Sequence, residues 1–558
     1  MILAAPGVPA TPGVASARAG GLGLVEPDAR TVPWTTIERL VLEAGLLPPA
    51  YRPLSEQELA ALLDEALARA MAGRAPGLDD DELDLLRWWR DRYTGGGRAP
   101  TWIGCACKVH PPRVRGSGRA LLGWQGLGDR PADEAGLAWS GGANAAGEVI
   151  VDATLGAHWW FGVTGRASGR LAAGQTLAPD DPLGWPGWHP ATGRPQVGAA
   201  RQQGGAWTLA LPRAMAGVRL GRWALGAGWE PRRVGPGRGG GLTLDHGGAS
   251  FPALTGRRTA PFRWSGIMGR LAPSELLLRV GSLSGREVRF FPPAGTVVTE
   301  QRPWFMEWLV GWEPFSWFRF TATQGTMVAS QDGSLWPDLL QINFPVIGTT
   351  WQEAAHGPIT DRIFAVGFEG RWRDAPWPVL PSAAGRCWWE YGGTDFLPSG
   401  PGGVWPEIAA PASVAGIALL SPRWDLEVEY TELWHDSVLW YSNGGFPEGY
   451  TQDGQLLAHQ LGGSGESLAG TVRVRPQGTG LEGGLTVAHA TWGIPGLTPG
   501  EGERWSLLGS VARLPRPDER APLLWTLKGE VRRETAAPPT APPVRRTWGR
   551  LWLEVGLP

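Results

Sequence analysis

With 558 residues, the chain is long enough for several soluble domains or for one large barrel with an appendage. Charged residues make up 19%, and 83 Gly with 51 Pro favour many short strands and turns over helices. A net charge of -2 argues against a nucleic-acid surface, which needs a concentrated cationic patch, and no apolar run approaches the ~18 residues of a membrane helix, so any membrane crossing falls to strands.

Residues 1–30 are rich in Ala, Gly and Pro and read as disordered or as a signal remnant. Met1 to Ala17 ends in a plausible cleavage triplet, Ala15-Ser16-Ala17, but lacks a basic opening and is interrupted by Pro6, Pro9 and Pro12. Helical signals follow. Thr35 with Glu38 and Ser55 with Glu58 have capping-box spacing, in which hydroxyl and carboxylate satisfy free backbone N–H groups at a helix start. Leu59, Leu62, Leu63, Ala66, Leu67 and Ala70 then share one face of a second helix. A third follows Asp79, Asp80 and Asp81, acids suited to a positive helix end, and runs through Leu85, Leu86, Trp88 and Trp89. The expected bundle covers residues 31–97 and stops at Gly95-Gly96-Gly97.

Cys105, Cys107 and Cys387 are too few to staple a fold of this size. Cys105, Cys107 and His110 make a three-ligand set, whereas a closed metal site wants four; small buried thiols are the expectation, with no metal and no cofactor.

From about residue 98 to 558 the pattern is strands broken by Gly and Pro. In the final segment Leu551, Leu553, Val555 and Leu557 alternate with Arg550, Trp552, Glu554 and Gly556. Trp525, Leu527 and Val531 alternate with Thr526, Lys528, Glu530 and Arg532, and Trp424, Leu426, Val428 and Tyr430 alternate with Asp425, Glu427, Glu429 and Thr431. A period of two places one greasy and one charged ribbon on opposite faces of each strand. Charges of both signs on the polar face suit the wet interior of a transmembrane barrel, and 33 Trp suit its interfacial girdles. A soluble sandwich or propeller also buries one face and wets the other. At about 20–30 residues per membrane strand and connection, the remaining length holds roughly 16–20 strands.

Two blocks carry a family resemblance. The first reads Glu429-Tyr430-Thr431, Trp440-Tyr441-Ser442-Asn443, Glu448-Gly449-Tyr450-Thr451, Ala458-His459-Gln460, then Gly462 to Ser467. The second reads Gly228-Trp229, Gly235-Pro236-Gly237 and Gly240-Gly241-Leu242. Together they resemble the capsule assembly Wzi family, which has an acidic-aromatic strand, a tyrosine-rich loop ending in Gly-Tyr, a Gly-His element and a Trp-Gly-Pro-Gly turn. Val234 stands where that Trp is usual and Ala458 where the Gly before His459 is usual. Looser similarity runs through Phe318 to Ser334, Asp361 to Trp372 and Trp389 to Asp395, so the resemblance spans about residues 200–475. It implies an all-β outer-membrane barrel of about eighteen antiparallel strands over residues 98–558, with a small N-terminal helical bundle as a periplasmic plug.

The chain carries no Gly-x-Ser-x-Gly, His-Glu-x-x-His or phosphate-loop motif, so an enzyme is not expected. Glu427 and Glu429 could pair as glycosidase acids but read better as barrel lining. The resemblance implies a surface lectin that binds and organises or anchors exported capsular polysaccharide or exopolysaccharide, with Trp434, Tyr441, Tyr450 and His459 as candidate polysaccharide-binding residues. The alternatives are an outer-membrane channel for polysaccharide export and an outer-membrane hydrolase. Expected partners are the polysaccharide, outer-membrane lipid and polysaccharide-export proteins; nucleic acid is not among them, and the barrel is expected to be a monomer.

Overall fold

The structure is a computed structural model that describes three helical stretches, 34–47, 54–73 and 80–94, and the barrel strands with adjoining turns between residues 113 and 557. Within the long connections it describes residues 232–237, 239–244, 283–291, 295–303 and parts of 394–411 and 433–464, among shorter pieces. Cys105, Cys107, His110 and Trp434 lie outside the described residues.

Eighteen strands close into one antiparallel barrel. In chain order they are β1 (Arg113–Gln125), β2 (Gly142–Leu155), β3 (Trp159–Ala173), β4 (Thr208–Leu220), β5 (Trp223–Trp229) and β6 (Ala253–Arg258). There follow β7 (Pro273–Ser282), β8 (Trp304–Phe315), β9 (Phe318–Ala329), β10 (Ile359–Trp372), β11 (Ala384–Gly393) and β12 (Ala412–Leu420). The last six are β13 (Trp424–Glu432), β14 (Gly465–Val474), β15 (Leu481–Trp492), β16 (Glu501–Arg513), β17 (Leu524–Ala537) and β18 (Val544–Leu557). Each pairs with its predecessor, and β18 closes on β1 through Leu551↔Trp124 and Leu553↔Leu122. Closure removes the unpaired edges that lipid cannot satisfy.

The greasy ribbons face outward. Leu551, Leu527, Val531, Leu426 and Val428 are exposed, while Arg550, Trp552, Glu554, Glu530, Asp425, Glu427 and Glu429 are buried on the inner face. This excludes the sandwich and propeller, whose leucines would fill a dry core. An apolar exterior around a closed sheet is the surface of an outer-membrane barrel. Short turns such as Gly221–Arg222, between β4 and β5, lie at the end that also receives β18, and the long connections lie at the other. In such barrels the short turns are periplasmic and the long loops extracellular.

The interior is two-sided. Helices α1 (Trp34–Glu43), α2 (Glu56–Met71) and α3 (Asp80–Thr94) form the N-terminal bundle. Ile37, Leu40 and Val41 of α1, Leu59 and Leu63 of α2, and Leu86 and Trp89 of α3 share one core with Leu277, Phe305, Leu309, Met327, Ile363 and Val414 on the inner faces of β7 to β12. The bundle therefore packs into the barrel against that wall. Across from it, β14 to β16 turn Ser467, Thr471, Thr486, Ser506 and Ser510 inward, all half-buried. β17 to β3 carry an ionic ladder: Lys528 to Glu554 at 3.5 Å, Glu554 to Arg119 at 3.3 Å, Arg119 to Glu148 at 2.9 Å, and Glu148 to Arg166. Each charge taken from water has an opposite partner, which is what burial of ions demands.

Two sequence expectations change. α1 already begins at Trp34, so Thr35 lies inside the helix, and Glu38 Oε1 is turned to Arg386 of β11 rather than closing a capping box. Ser55 does precede the first residue of α2. Cys387 is exposed on the outer face of β11, not a buried thiol, because it falls at the odd step between inward Arg386 and Trp388.

Candidate functional site

The two blocks that carry the family resemblance meet inside the barrel, although about 200 residues separate them. The Gly-rich element, Arg232 to Leu244, dips inward after β5, and its Arg233–Val234 pairs with Tyr51–Arg52 of the segment between α1 and α2. Two glutamates on the wall clasp it. Gly239 N donates to Glu429 Oε1 at 2.6 Å, and Leu242 N donates to Glu390 Oε1 at 3.3 Å. Trp388 Nε1 fixes the other oxygen of Glu429 at 2.9 Å.

This closeness explains the glycines. Gly235 has φ +115°, and a Cβ there would sit 2.7 Å from Glu390 Oε2; at Gly241 it would sit 1.7 Å from the carbonyl oxygen of Val234. Val234, which replaces the family's usual Trp, is fully buried in the shared core.

Arg386 joins helix α1 of the bundle to the Gly-rich element. Its Nη1 donates to Glu38 of α1 at 2.6 Å and lies 3.3 Å from Glu369; its Nη2 donates to the carbonyl of Pro236 at 2.7 Å. Arg319 makes a second tie, donating to the carbonyl of Leu47 at 3.3 Å while facing Glu275, Glu313 and Glu369. Neither arginine stood out in the sequence. For Arg386 the available signal was the inward set of β11, Arg386, Trp388 and Glu390, where two of the three steps in an otherwise aromatic strand are charged.

Of the sequence candidates, three are brought together. Tyr441 and Tyr450 are fully buried, with ring centroids 6.2 Å apart, and His459 lies beside them. The Tyr441 hydroxyl donates to the carbonyl of Leu242, at 2.9 Å, so the tyrosine loop and the Gly-rich element are one unit. Tyr441 holds φ +60°, a left-handed backbone that a bulky residue adopts only under tertiary constraint. The Tyr450 hydroxyl lies 3.0 Å from the carbonyl of Gly325 and 2.8 Å from that of Asp361, which fixes the loop to β9 and β10. His459 Nδ1 accepts from Leu461 N at 3.2 Å, and its Nε2 faces Thr431 Oγ1 at 3.4 Å. These side chains shape the loop from within; they are not turned to solvent.

Beside this unit, Glu230 follows β5 among arginines. Burial pushes its carboxyl up, but Arg232, Arg213, Arg257 and Arg279 together outweigh that and hold it below the ordinary carboxylate value of 4.5.

A family model described as capsule assembly protein Wzi matches residues 118–362, so the resemblance drawn from the sequence holds. Among solved structures, the chain is similar to Wzi of Escherichia coli, described as an outer-membrane protein involved in group 1 capsule assembly and a carbohydrate-binding β-barrel. The TM-score is 0.61 at 13% identity, covering 96% of this chain and 99% of that one. Acinetobacter baumannii OccAB2 gives a TM-score of 0.45 at 10% identity, covering 80% of this chain and 97% of that one. Pseudomonas aeruginosa OccK5 gives 0.42 at 12% identity, covering 80% and 98%. No curated protein sequence matches the chain.

Proposed function

We propose that this barrel, matched across residues 118–362 by the Wzi family model, works in capsule assembly at the outer membrane by holding exported polysaccharide at the cell surface. One observation carries the reading. The plug and the extracellular element meet on Arg386, so the space a polymer would need along the β7 to β12 wall is occupied by a packed core. A surface role suits a barrel filled along that wall better than an export channel does, and the Escherichia coli structure of the same fold is named as carbohydrate-binding.

In this reading, the loop from Leu433 to Ser464 is the binding element, and Trp434 is its candidate for direct sugar contact, where an indole face stacks on a pyranose ring. Tyr441, Tyr450 and His459 act by holding the loop in shape. The test is the partition of polysaccharide between cells and medium. A deletion strain should make polymer but shed it, and expression of the wild-type chain should return it to the cells. Tyr450→Ala, at wild-type expression and with a folded barrel, should return less. Loss of all polymer outside the deleted cells, or steady open conductance of the purified barrel in planar bilayers, would instead assign it to export. Shortening of purified polymer would assign a hydrolase.

A further inference from the structure

A hairpin, Arg286–Phe290 paired with Val297–Gln301, stands between β7 and β8 at the long-loop end of the barrel. One of its faces is sealed. Val288 and Phe290 belong to the central core, and buried Arg286 donates to the carbonyl of Gly449 at 2.9 Å and to that of Thr451 at 2.6 Å. Ser284 N donates to Gln452 Oε1 at 2.8 Å, and Arg289 N donates to the carbonyl of Gly445 at 2.8 Å. The hairpin is thus locked to the tyrosine loop described above.

The opposite face is built against its own stability. Glu287, Arg289 and Phe291 alternate along the first strand and its exit, and Glu300 and Val298 stand across from Glu287 and Arg289. Glu287 directly faces Glu300, a like-charge pair that destabilises a hairpin. Phe291 and Val298 are each 56% exposed. Arg289 Nε donates to Glu287 Oε1 at 2.6 Å, so acceptor and donor are held side by side next to the aromatic ring. Phe291 also reaches the loop: a Cβ on Gly444 would lie 3.7 Å from its ring. None of these outward side chains belongs to the buried core. Sugar recognition calls for such a set: an aromatic face for the ring carbons, with carboxylate and guanidinium for the hydroxyls. Mixed signs that nearly cancel suit a hydroxylated chain better than a polyanion or a polycation.

We infer that the outer face of this hairpin, Glu287, Arg289, Phe291, Val298 and Glu300, is a saccharide platform that takes the exported polysaccharide, an inference that rests on the function proposed above. The probe is polysaccharide purified from the medium of the deletion strain, applied to cells expressing the full chain, and bound polymer is measured. Phe291→Ala should lower bound polymer roughly fivefold to tenfold, the loss of about one aromatic contact. The double variant Glu287→Gln with Glu300→Gln should lower it as well while leaving heat-modifiable mobility intact, since it relieves a repulsion. If wild-type cells bind polymer and both folded variants bind as much, the platform is overturned and the function stands. If wild-type cells bind no more than deleted cells, the function itself falls and takes the platform with it. If polymer binding is unchanged but outer-leaflet glycolipid co-purification drops, the face belongs to glycolipid and the inference is likewise overturned.

Discussion

Removing the Arg386 guanidinium should unlatch helix α1 from the wall while leaving the barrel standing. In Arg386→Met the carboxylate of Glu38, fully buried, loses a donor at 2.6 Å, the carbonyl of Pro236 loses a donor at 2.7 Å, and Glu369 loses a cation at 3.3 Å. Breaking one side of a buried ion pair costs about 3–5 kcal/mol, because the remaining carboxylate loses its compensating cation in a dry site. The lower figure alone raises the population of the undocked state by a factor on the order of 10². The strand ladder is untouched, so heat-modifiable mobility should stay as in the wild type. Planar-bilayer recordings should show brief openings in the variant where the wild type stays closed. The partner change, Glu38→Leu in the Arg386→Met background, should restore closure, since an apolar pair of similar volume often replaces a buried ion pair at little cost. Equal traces from wild type and Arg386→Met would refute the latch, and openings that persist in the double variant would refute the electrostatic reason for it.

Leu551 lies midway along β18 and faces outward, so Leu551→Arg should destabilise the folded barrel by about 2–4 kcal/mol, read as a lower temperature for loss of compact gel mobility; Ser506→Arg, inward on β16, should change it far less. Gly241→Ala forces a methyl onto the Val234 carbonyl and should cost at least about 1–3 kcal/mol, read as faster proteolysis of the Gly-rich element, whereas Gly165→Ala, with open space around it, should be silent. Glu230 has a folded-state pKa below its unfolded value, so the stability it contributes is present above about pH 4.5 and is lost as pH falls through the lower folded value. Proteolysis of the same element should therefore accelerate on acidification below pH 4.5, and Glu230→Gln should flatten that dependence.

The barrel was legible because a strand's period of two leaves a direct record of which face meets lipid. In β18 that record runs from Arg550 to Leu557 and puts the charges inside, as found. The helices were legible for the same reason at a period of 3.6, through Leu59, Leu63, Ala66 and Leu67. What the bundle touches was not. The partner of Glu38 lies 348 residues away on β11, and nothing in a local pattern encodes a contact of that range. The Thr35–Glu38 spacing even suggested a different role, a cap, for a carboxylate that reaches the wall. The candidate site was half legible. Tyr441, Tyr450 and His459 do cluster, but a motif gives residue types, not exposure, and their hydroxyl and ring nitrogens are committed to backbone and Thr431 partners. Phe291, which sits on the outer side of the same assembly, belongs to no motif and emerges from the fold alone.

The uneven interior gives the reason for that division of labour. If the barrel had been lined all round by paired charges, as it is from β17 to β3, a loop dipping into it would find water and no core to hold it. By turning Phe305, Leu309, Met327 and Ile363 inward instead, β8 to β10 offer a dry surface against which Tyr450 and Val234 can bury, and burial there fixes the tyrosine loop. Arg286 then transmits that rigidity outward, since it holds the hairpin by the carbonyls on either side of Tyr450. In the proposed function, a surface that grips a mobile, hydrated chain would gain from such stiffness, because little conformational entropy is left to lose when the chain arrives. The buried tyrosines and the exposed hairpin are accordingly two ends of one device, with the dry wall of the barrel as its foundation.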